Sequence, residues 1–248
     1  DVTNNVPTTR DGIPVAWTPD GRPGIHDASS GDFVLAAVPE SEDFVGSDFL
    51  DLIIADTSIR CQVRSTAVGG SVGFGVRYQD RVDIKNCFGL IAYHPNHGGT
   101  ILLLGRRDGA APDAWTPLGM PVPLSFDIRN EDGMLQLDVF GNELKLWGWR
   151  AGDPMPETPQ ISAVDSAYES GFVRIFAGSG IGNDNIGTIR FIHVADTHIP
   201  ELAADFDVDG DVDGDDLDTW QAGFSTGMGV HLSGGDADFD GDVDGDDF

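Results

Sequence analysis

Alternation of apolar and polar positions with a period of two dominates the middle of the chain. Segments such as SIRCQVRST (58–66) and GMLQLDVF (133–140) place apolar side chains at every second position. Such alternation is typical of strands with one buried face, and helical windows are few. The pattern predicts about eleven strands, near residues 32–38, 48–55, 58–66, 71–78, 86–93, 100–106, 124–130, 133–140, 142–149, 171–177 and 187–195.

Many short strands joined by tight turns predict an all-β protein, built as an antiparallel β-sandwich. The turns NEDG (130–133) and FGN (140–142) are compact hairpin signals. Residues 1–31 are rich in Pro, Gly, Asp and Thr and show no period, so they are predicted to form an extended N-terminal arm. The sandwich is then expected over residues 32–196, followed by a linker at 197–204.

The order of these strands resembles that of a known fold family. Strands ending in GVRYQD, then CFGLIAY and TILLLG, are followed by LSFDIRN, LQLDVFGNEL and a closing GTIRFIHVAD. This rhythm over residues 32–196 resembles the concanavalin A-like, laminin-G-like jelly roll. The resemblance implies the fold but does not choose a function, since lectins, glycosidases and adhesion modules all use it.

The end of the chain is acidic and repeated. DFDVDGDVDGDD (205–216) returns thirty-one residues later as DADFDGDVDGDD (236–247). Both segments fit the EF-hand calcium loop, which has oxygen ligands at positions 1, 3, 5, 7, 9 and 12 and glycine at position 6. The repeat predicts two calcium ions, held by Asp205, Asp207, Asp209, Asp211, Asp213 and Asp216 and by Asp236, Asp238, Asp240, Asp242, Asp244 and Asp247.

The first repeat with its flank, DFDVDGDVDGDDLDTWQ, and the second repeat resemble the duplicated calcium loop of dockerin type I modules. Similar dockerin-like repeats end many large secreted bacterial proteins. The resemblance implies a small EF-hand-like calcium module over residues 205–248. Leu217, Trp220 and Phe224, spaced i, i+3 and i+7 after the first loop, predict a short helix there.

The net charge of −28 restricts the choice of partners. A strongly acidic surface repels phosphate backbones, so nucleic acid is excluded as a partner. No apolar run approaches the roughly 20 residues of a membrane span. Calcium loops of this kind work where calcium is millimolar, which predicts an extracellular, secreted location.

Glycosidases of this fold class carry an E-x-D-x-x-E or E-x-D-x-E strand, which aims two carboxylates about 5 Å apart into the cleft. The chain contains no such string. We therefore predict that the protein is not an enzyme. The nearest acids are expected to be solvated positions on strand faces, and they are Asp51, Asp56, Asp127 and Asp138.

Two histidine pairs would form a zinc site only if their segments met in the fold. They are His94 with His97 and His193 with His198. Separately, Cys61 and Cys87 fit either one disulfide in an oxidising compartment or two buried thiols.

The strand ELKLWGWR (143–150) offers a possible binding surface. Period two puts Trp147 and Trp149 on the face opposite Leu144 and Leu146. The two rings either form an open platform for sugar rings or a partner chain, or lie beneath the following loop at 149–159.

The preferred interpretation is a secreted, non-enzymatic, calcium-binding structural or adhesion protein. It would associate head to tail with copies of itself through its termini, or with a surface protein, in an extracellular fibre or surface layer. The alternative is a lectin-like module that binds polysaccharide through Trp147 and Trp149. A glycan-degrading enzyme is the third possibility.

Overall fold

The structure of the protein is a computed structural model. It describes residues 2–3, 6–7, 16–20, 24–28, 32–37, 44–80, 84–109, 114–179, 185–196, 198–199, 204–206, 212, 214–224, 234–237, 243–244 and 247.

Strands make up most of the described chain. In order they are β1 (Val2–Thr3), β2 (Val6–Pro7), β3 (Thr18–Pro19), β4 (Gly24–Asp27), β5 (Phe33–Ala37), β6 (Phe44–Ile54), β7 (Thr57–Ser65), β8 (Gly70–Tyr78), β9 (Lys85–His94), β10 (Gly99–Asp108), β11 (Trp115–Pro117), β12 (Val122–Pro123), β13 (Gly133–Phe140), β14 (Glu143–Arg150), β15 (Ile161–Val164), β16 (Gly171–Ser179) and β17 (Ile186–Ala195). A 3-10 helix (Pro95–His97) links β9 to β10, and the helix α1 spans Gly214–Gly223.

Two large antiparallel sheets pack face to face. The eight-stranded sheet has the order β11–β10–β9–β8–β16–β6–β3, with β12 also pairing with β10. The seven-stranded sheet has the order β15–β14–β13–β7–β17–β5–β4, and β1 and β2 form a separate pair. Among the described strands, the chain crosses between the layers seven times: from β3 to β4, β5 to β6, β6 to β7, β7 to β8, β12 to β13, β15 to β16 and β16 to β17. The predicted antiparallel sandwich is therefore confirmed.

One apolar core fills the space between the sheets. Val72 and Phe74 reach it from β8, and Leu135 and Leu137 reach it from β13; all four are fully buried. Burying a side chain of this kind contributes roughly 1.5–3 kcal/mol. The apolar side chains at alternate positions of both sheets are thus buried in the core. A functional site therefore has to lie on an outer face or at an end of the sandwich.

All of the predicted strands are present except the one at 124–130. There the carboxylate of Asp127 accepts the backbone N–H of Arg129 at 3.0 Å, and its carbonyl accepts that of Asn130 at 2.9 Å. These local bonds favour a turn over an extended strand. The hydrogen-bonded Arg129 side chain also lowers the pKa of Asp127. The strand prediction is wrong at this point because aspartate supplies its own turn contacts.

Part of the predicted arm belongs to the sandwich. Thr18–Pro19 pairs with β6, and Gly24–Asp27 pairs with β5, so each adds an edge strand to one sheet. These strands and the short β11, β12 and β15 lack the long alternation on which the sequence prediction depended.

The helix α1 lies where Leu217 and Trp220 predicted it; both are half-buried, while Phe224 just after the helix is exposed. In the described part of the chain, no helix combines the length and apolar character needed to cross a bilayer.

Cys61 and Cys87 are free, buried thiols. Cys61 lies on β7 in one sheet and Cys87 on β9 in the other. Burial raises the pKa of Cys87 to about 12 and that of Cys61 well above its ordinary value. Both thiols are therefore protonated and inaccessible, which makes them inert side chains of the core.

This arrangement predicts the reactivity of the thiols. In the native protein at about pH 8, Ellman's reagent should label neither cysteine, because attack requires an exposed thiolate. After unfolding in guanidinium without reductant, both should react. Finding no reactive thiol after unfolding would show a disulfide instead, and rapid labelling of the native protein would contradict the burial.

Candidate functional site

Trp147 and Trp149 lie on the outer face of the seven-stranded sheet, as their spacing predicted, but both rings are covered. They are 5% and 8% exposed and pack against Met134 and Met155. The guanidinium of Arg60 lies 5.7 Å from the centre of the Trp149 ring. The loop after β14 folds back over them, as the alternative interpretation required, so neither ring can stack on a sugar.

The same face is closed further by a buried polar network. Asp138 accepts hydrogen bonds from Ser58 Oγ at 2.6 Å and from Gln136 Nε2 at 3.1 Å, and its Oδ2 lies 2.5 Å from His198 Nδ1. The N–H of Ile199 donates to Ser58 Oγ, and its carbonyl accepts from Gln136 Nε2. The predicted linker is thus bound to the sheet at this point. Asp138 is buried, so its prediction as a solvated acid is wrong.

The fold does not bring the other predicted strand-face acids into one cluster. Asp51 is exposed on β6. Asp56 is more than half exposed and accepts the N–H of Gly141 at 2.8 Å. Both fit surface positions.

The outer face of the eight-stranded sheet presents a row of polar and aromatic side chains. Trp115 pairs with Arg107 across β11 and β10, and Arg107 pairs with Asn86 across β10 and β9. Residues paired directly on antiparallel strands point to the same side of the sheet. Backbone register therefore assembles three residues that are up to 29 positions apart in sequence.

A second row runs beside the first. It continues from Phe88 through Gly75 to Arg174 and Asp48, on β9, β8, β16 and β6. Asn86 and Arg107 of the first row and Phe88 and Arg174 of the second line a pocket that is partly open to solvent. Its lining combines four aromatic residues with four polar or charged ones and one aliphatic residue: Asp20, Phe44, Tyr78, Ile84, Asn86, Phe88, Arg107, Arg174 and Phe176.

Asn86 is the exceptional residue of this pocket. It is 0% exposed, yet neither Nδ2 nor Oδ1 has a hydrogen-bond partner among the described residues. Buried side-chain amides are nearly always hydrogen-bonded, and leaving such a group unsatisfied costs about 1–3 kcal/mol. Asn86 therefore marks a position where a ligand can supply both a donor and an acceptor.

The pocket's charges are largely paired. Arg174 forms a bidentate ion pair with Asp48, with Nη2 at 3.0 Å from Oδ2 and Nε bonded to Oδ1. Its Nη1 lies 3.9 Å from Asp20. Burial lowers the pKa of Arg174, but the neighbouring Tyr78 and Asp48 raise it by more than burial lowers it. The guanidinium therefore stays charged. Burial likewise raises the pKa of Tyr78, which keeps the phenol neutral.

Aromatic surface extends from the pocket to solvent. A Cβ at Gly105 would lie 2.4 Å from Phe88 Cζ, so only glycine lets the Phe88 ring lie across β10. The ring of Trp115 stands 6.4 Å from that of Phe88 and is 40% exposed. Trp115 and Phe88 together form a wall that leads from the rim to the buried amide of Asn86.

Sequence reasoning missed this site. Asn86 is the polar start of a nearly unbroken apolar run, NCFGLIAY, which is the one local signal that something other than packing is needed there. Trp115 lies in a three-residue strand with no periodicity. Only the register of β9, β10 and β11 brings the two together.

Five of the twelve predicted calcium ligands lie among the described residues: Asp205, Asp216, Asp236, Asp244 and Asp247. The other seven lie outside them: Asp207, Asp209, Asp211, Asp213, Asp238, Asp240 and Asp242. Asp216 Oδ1 accepts the N–H of Phe206 at 2.6 Å, and Asp247 Oδ1 accepts that of Ala237 at 2.7 Å. The two repeats therefore share one local geometry.

The described carboxylates of the two repeats are mostly buried. Asp205, Asp216, Asp236 and Asp247 are all buried, and the sequence holds no Lys or Arg from 205 to 247. Like charges held close together repel one another, and a bound cation offsets that repulsion. An all-oxygen donor set of this kind suits a hard cation such as calcium.

The histidine pairs do not combine into a metal site. The rings of His94 and His97 stand 4.8 Å apart beside the 3-10 helix, whereas His198 is engaged with Asp138 on the outer face of the seven-stranded sheet. Among the described residues, no group of three or more His, Cys, Asp or Glu side chains is placed to hold a metal ion.

No protein-family model matches the chain, and no curated protein matches it significantly. Solved structures do match it. The carbohydrate-binding module CBM66 of Bacillus subtilis aligns with a TM-score of 0.52 at 10% identity, over 72% of this chain and 94% of that module. The Ca²⁺/Man2-bound exoplasmic/lumenal domain of VIP36 aligns with a TM-score of 0.57 at 9% identity, over 79% and 86%.

A native glycosidic hydrolase also aligns, with a TM-score of 0.52 at 10% identity, over 74% of this chain and 91% of that protein. At such low identities the likeness concerns the fold alone. The chain is similar in fold to lectin-like, concanavalin-like β-sandwiches, and the resemblance proposed for residues 32–196 is confirmed to that extent.

Proposed function

We propose that the protein binds carbohydrate in the pocket on the outer face of its eight-stranded sheet. The observation that carries the proposal is Asn86, a buried amide with both hydrogen-bonding atoms unused, at the end of an aromatic wall. Sugars present apolar C–H faces to aromatic rings and hydroxyl groups to polar side chains. Phe88 and Trp115 supply the first surface, and Asn86 supplies the second.

The fold supports this choice over adhesion or fibre assembly. Solved structures with this sandwich include a carbohydrate-binding module and a mannose-bound lumenal domain. The lectin-like alternative is thus the better-supported one, with the site moved from Trp147 and Trp149 to the other sheet. Head-to-tail association and a surface-protein partner remain predictions from the sequence.

We further propose that the pocket binds glycans without cleaving them. Glycoside hydrolysis usually needs two carboxyl groups with separate acid and base roles. Among the described residues, Asp20 is the one carboxylate that lines the pocket, and Arg174 lies against both Asp20 and the buried Asp48. One lining carboxylate cannot fill both roles, which supports binding rather than catalysis.

Two calcium ions in the C-terminal loops complete the proposal. Asp205 and Asp216 of the first loop, and Asp236 and Asp247 of the second, would hold them together with the other predicted ligands. Calcium would neutralise the buried carboxylates and order both loops. Loops of this kind need millimolar calcium, which supports an extracellular location.

The carbohydrate proposal is tested with Trp115→Ala. Removing an aromatic stacking surface at the rim should weaken binding to the glycans that the wild type retains on an array, by roughly tenfold, which corresponds to about 1.4 kcal/mol. The matched control is Phe224→Ala, an exposed aromatic residue beside α1, which should bind as the wild type does. Equal binding by wild type and Trp115→Ala would contradict glycan binding at this pocket.

The calcium proposal is tested by calorimetry. The purified protein should take up two calcium ions, and Asp216→Ala should lose one of them. Magnesium should substitute poorly because it requires a smaller octahedral shell. A protein that takes up no calcium would contradict the proposal.

Removing calcium should also change the C-terminal loops while leaving the sandwich folded. On addition of EDTA, the far-ultraviolet signal of the sandwich should persist, because its core contains no carboxylate ligand. The fluorescence of Trp220 should shift to longer wavelength, since its indole Nε1–H donates to the Asp244 carbonyl within the second loop. Loss of the whole β signal would show that the sandwich depends on a metal as well.

A further inference from the structure

The chemistry of Asn86 restricts the class of sugar more than the fold does. Its side chain offers a donor at Nδ2 and an acceptor at Oδ1, and both are buried without a partner among the described residues. A carboxylate or sulfate could accept from Nδ2 but would repel Oδ1, since those groups are acceptors only. An ammonium group would satisfy only Oδ1. Neighbouring hydroxyl groups, or an amide substituent, satisfy both atoms at once.

The charges around the pocket also favour an uncharged ligand. Arg174 is neutralised by Asp48 at bonding distance and lies near Asp20. The formal charges of the two arginines, Arg107 and Arg174, and of the two aspartates, Asp20 and Asp48, sum to zero. No excess positive charge therefore faces the ligand, and the chain's net charge of −28 repels polyanions at long range.

We infer that the pocket recognises an uncharged sugar, whose adjacent hydroxyl groups or amide substituent bond to Asn86 while its ring packs on Phe88 and Trp115. This inference rests on the proposed carbohydrate-binding function and makes it more specific. Asn86 is then the residue that determines specificity for neutral over acidic glycans.

The inference assigns Asn86 a role that packing does not explain. A buried amide with no partner lowers the stability of the free fold, so an apolar replacement of similar shape is neutral or stabilising. Asn86→Leu should therefore keep or raise the Tm while it removes glycan binding. A residue with a structural role would show the opposite: a lower Tm together with weaker binding.

The experiment measures binding of the intact chain, with calcium present, to matched pairs of polysaccharides. The pairs are dextran with dextran sulfate, and methyl-esterified with free polygalacturonate, next to a panel of neutral mannans, glucans, xylans and galactans. The variants are Asn86→Leu, Asn86→Asp and Trp115→Ala. Asn142→Asp, at an exposed turn of the other sheet, controls for the added charge.

The expected result is binding to at least one uncharged glycan, with an affinity that changes little between low and high salt. Asn86→Leu and Asn86→Asp should each lower that affinity by about tenfold or more, with an unchanged or higher Tm for Asn86→Leu. Asn142→Asp should bind as the wild type does.

Two outcomes overturn the inference and leave the proposed function standing. One is binding confined to the sulfated or carboxylated member of each pair, with affinity falling steeply as salt rises. The other is neutral-glycan binding that Trp115→Ala weakens but Asn86→Leu does not. A third outcome, no binding to any polysaccharide of either series, overturns the inference and the proposed function together.

Discussion

The burial of one face of each sheet against the other is the constraint on which the rest of the molecule depends. Because strand side chains alternate, consuming one face for the core leaves every second residue of each sheet on an outer face. Phe74 and Val76 on β8 fill the core, while Gly73 and Gly75 alternate with them on the outer face and allow close approach of the β9 backbone and of the Tyr78 ring. The core thus fixes the register, and the register decides which residues can form a site.

The outer faces of the two sheets differ in how their buried polar side chains are hydrogen-bonded. On the seven-stranded sheet, a satisfied network around Gln136 and Asp138 holds Ile199 over the strands. The side chains of Ser58, Gln136 and Asp138 are all hydrogen-bonded in this network, which is typical of a structural role, although the nearby Trp147 Nε1–H has no partner among the described residues. On the eight-stranded sheet, the buried amide of Asn86 has none among the described residues, and an exposed tryptophan stands at the rim. This contrast, more than the fold, is the reason for proposing the site on the second face.

The long strands, the antiparallel sandwich and the helix α1 could be predicted from the sequence because each rests on local periodicity. The strand at 124–130 could not, since the hydrogen bonds of Asp127 override its apolar pattern. The site could not be predicted either. Asn86 and Trp115 meet only through the pairing of three strands, and Trp147 was covered by a loop whose course the sequence does not specify.

The C-terminal repeats contribute a different kind of order. Sandwich strands are held by apolar burial, whereas the proposed calcium loops would need a cation to offset the repulsion between their carboxylates. Equivalent bonds from Phe206 to Asp216 and from Ala237 to Asp247 show the same local design in both repeats. Calcium would therefore govern the order of the chain's end without altering the pocket.

The most direct test of the central claim is a ¹⁵N-resolved NMR titration of the calcium-loaded protein with the neutral glycan that binds it best. If the glycan binds between Asn86 and Trp115, the side-chain amide signals of Asn86 and the indole signal of Trp115 should shift with ligand, while the indole signals of Trp147 and Trp220 should stay in place. Shifts confined to Trp147, Trp220 or the C-terminal loops, with Asn86 and Trp115 unchanged, would contradict it.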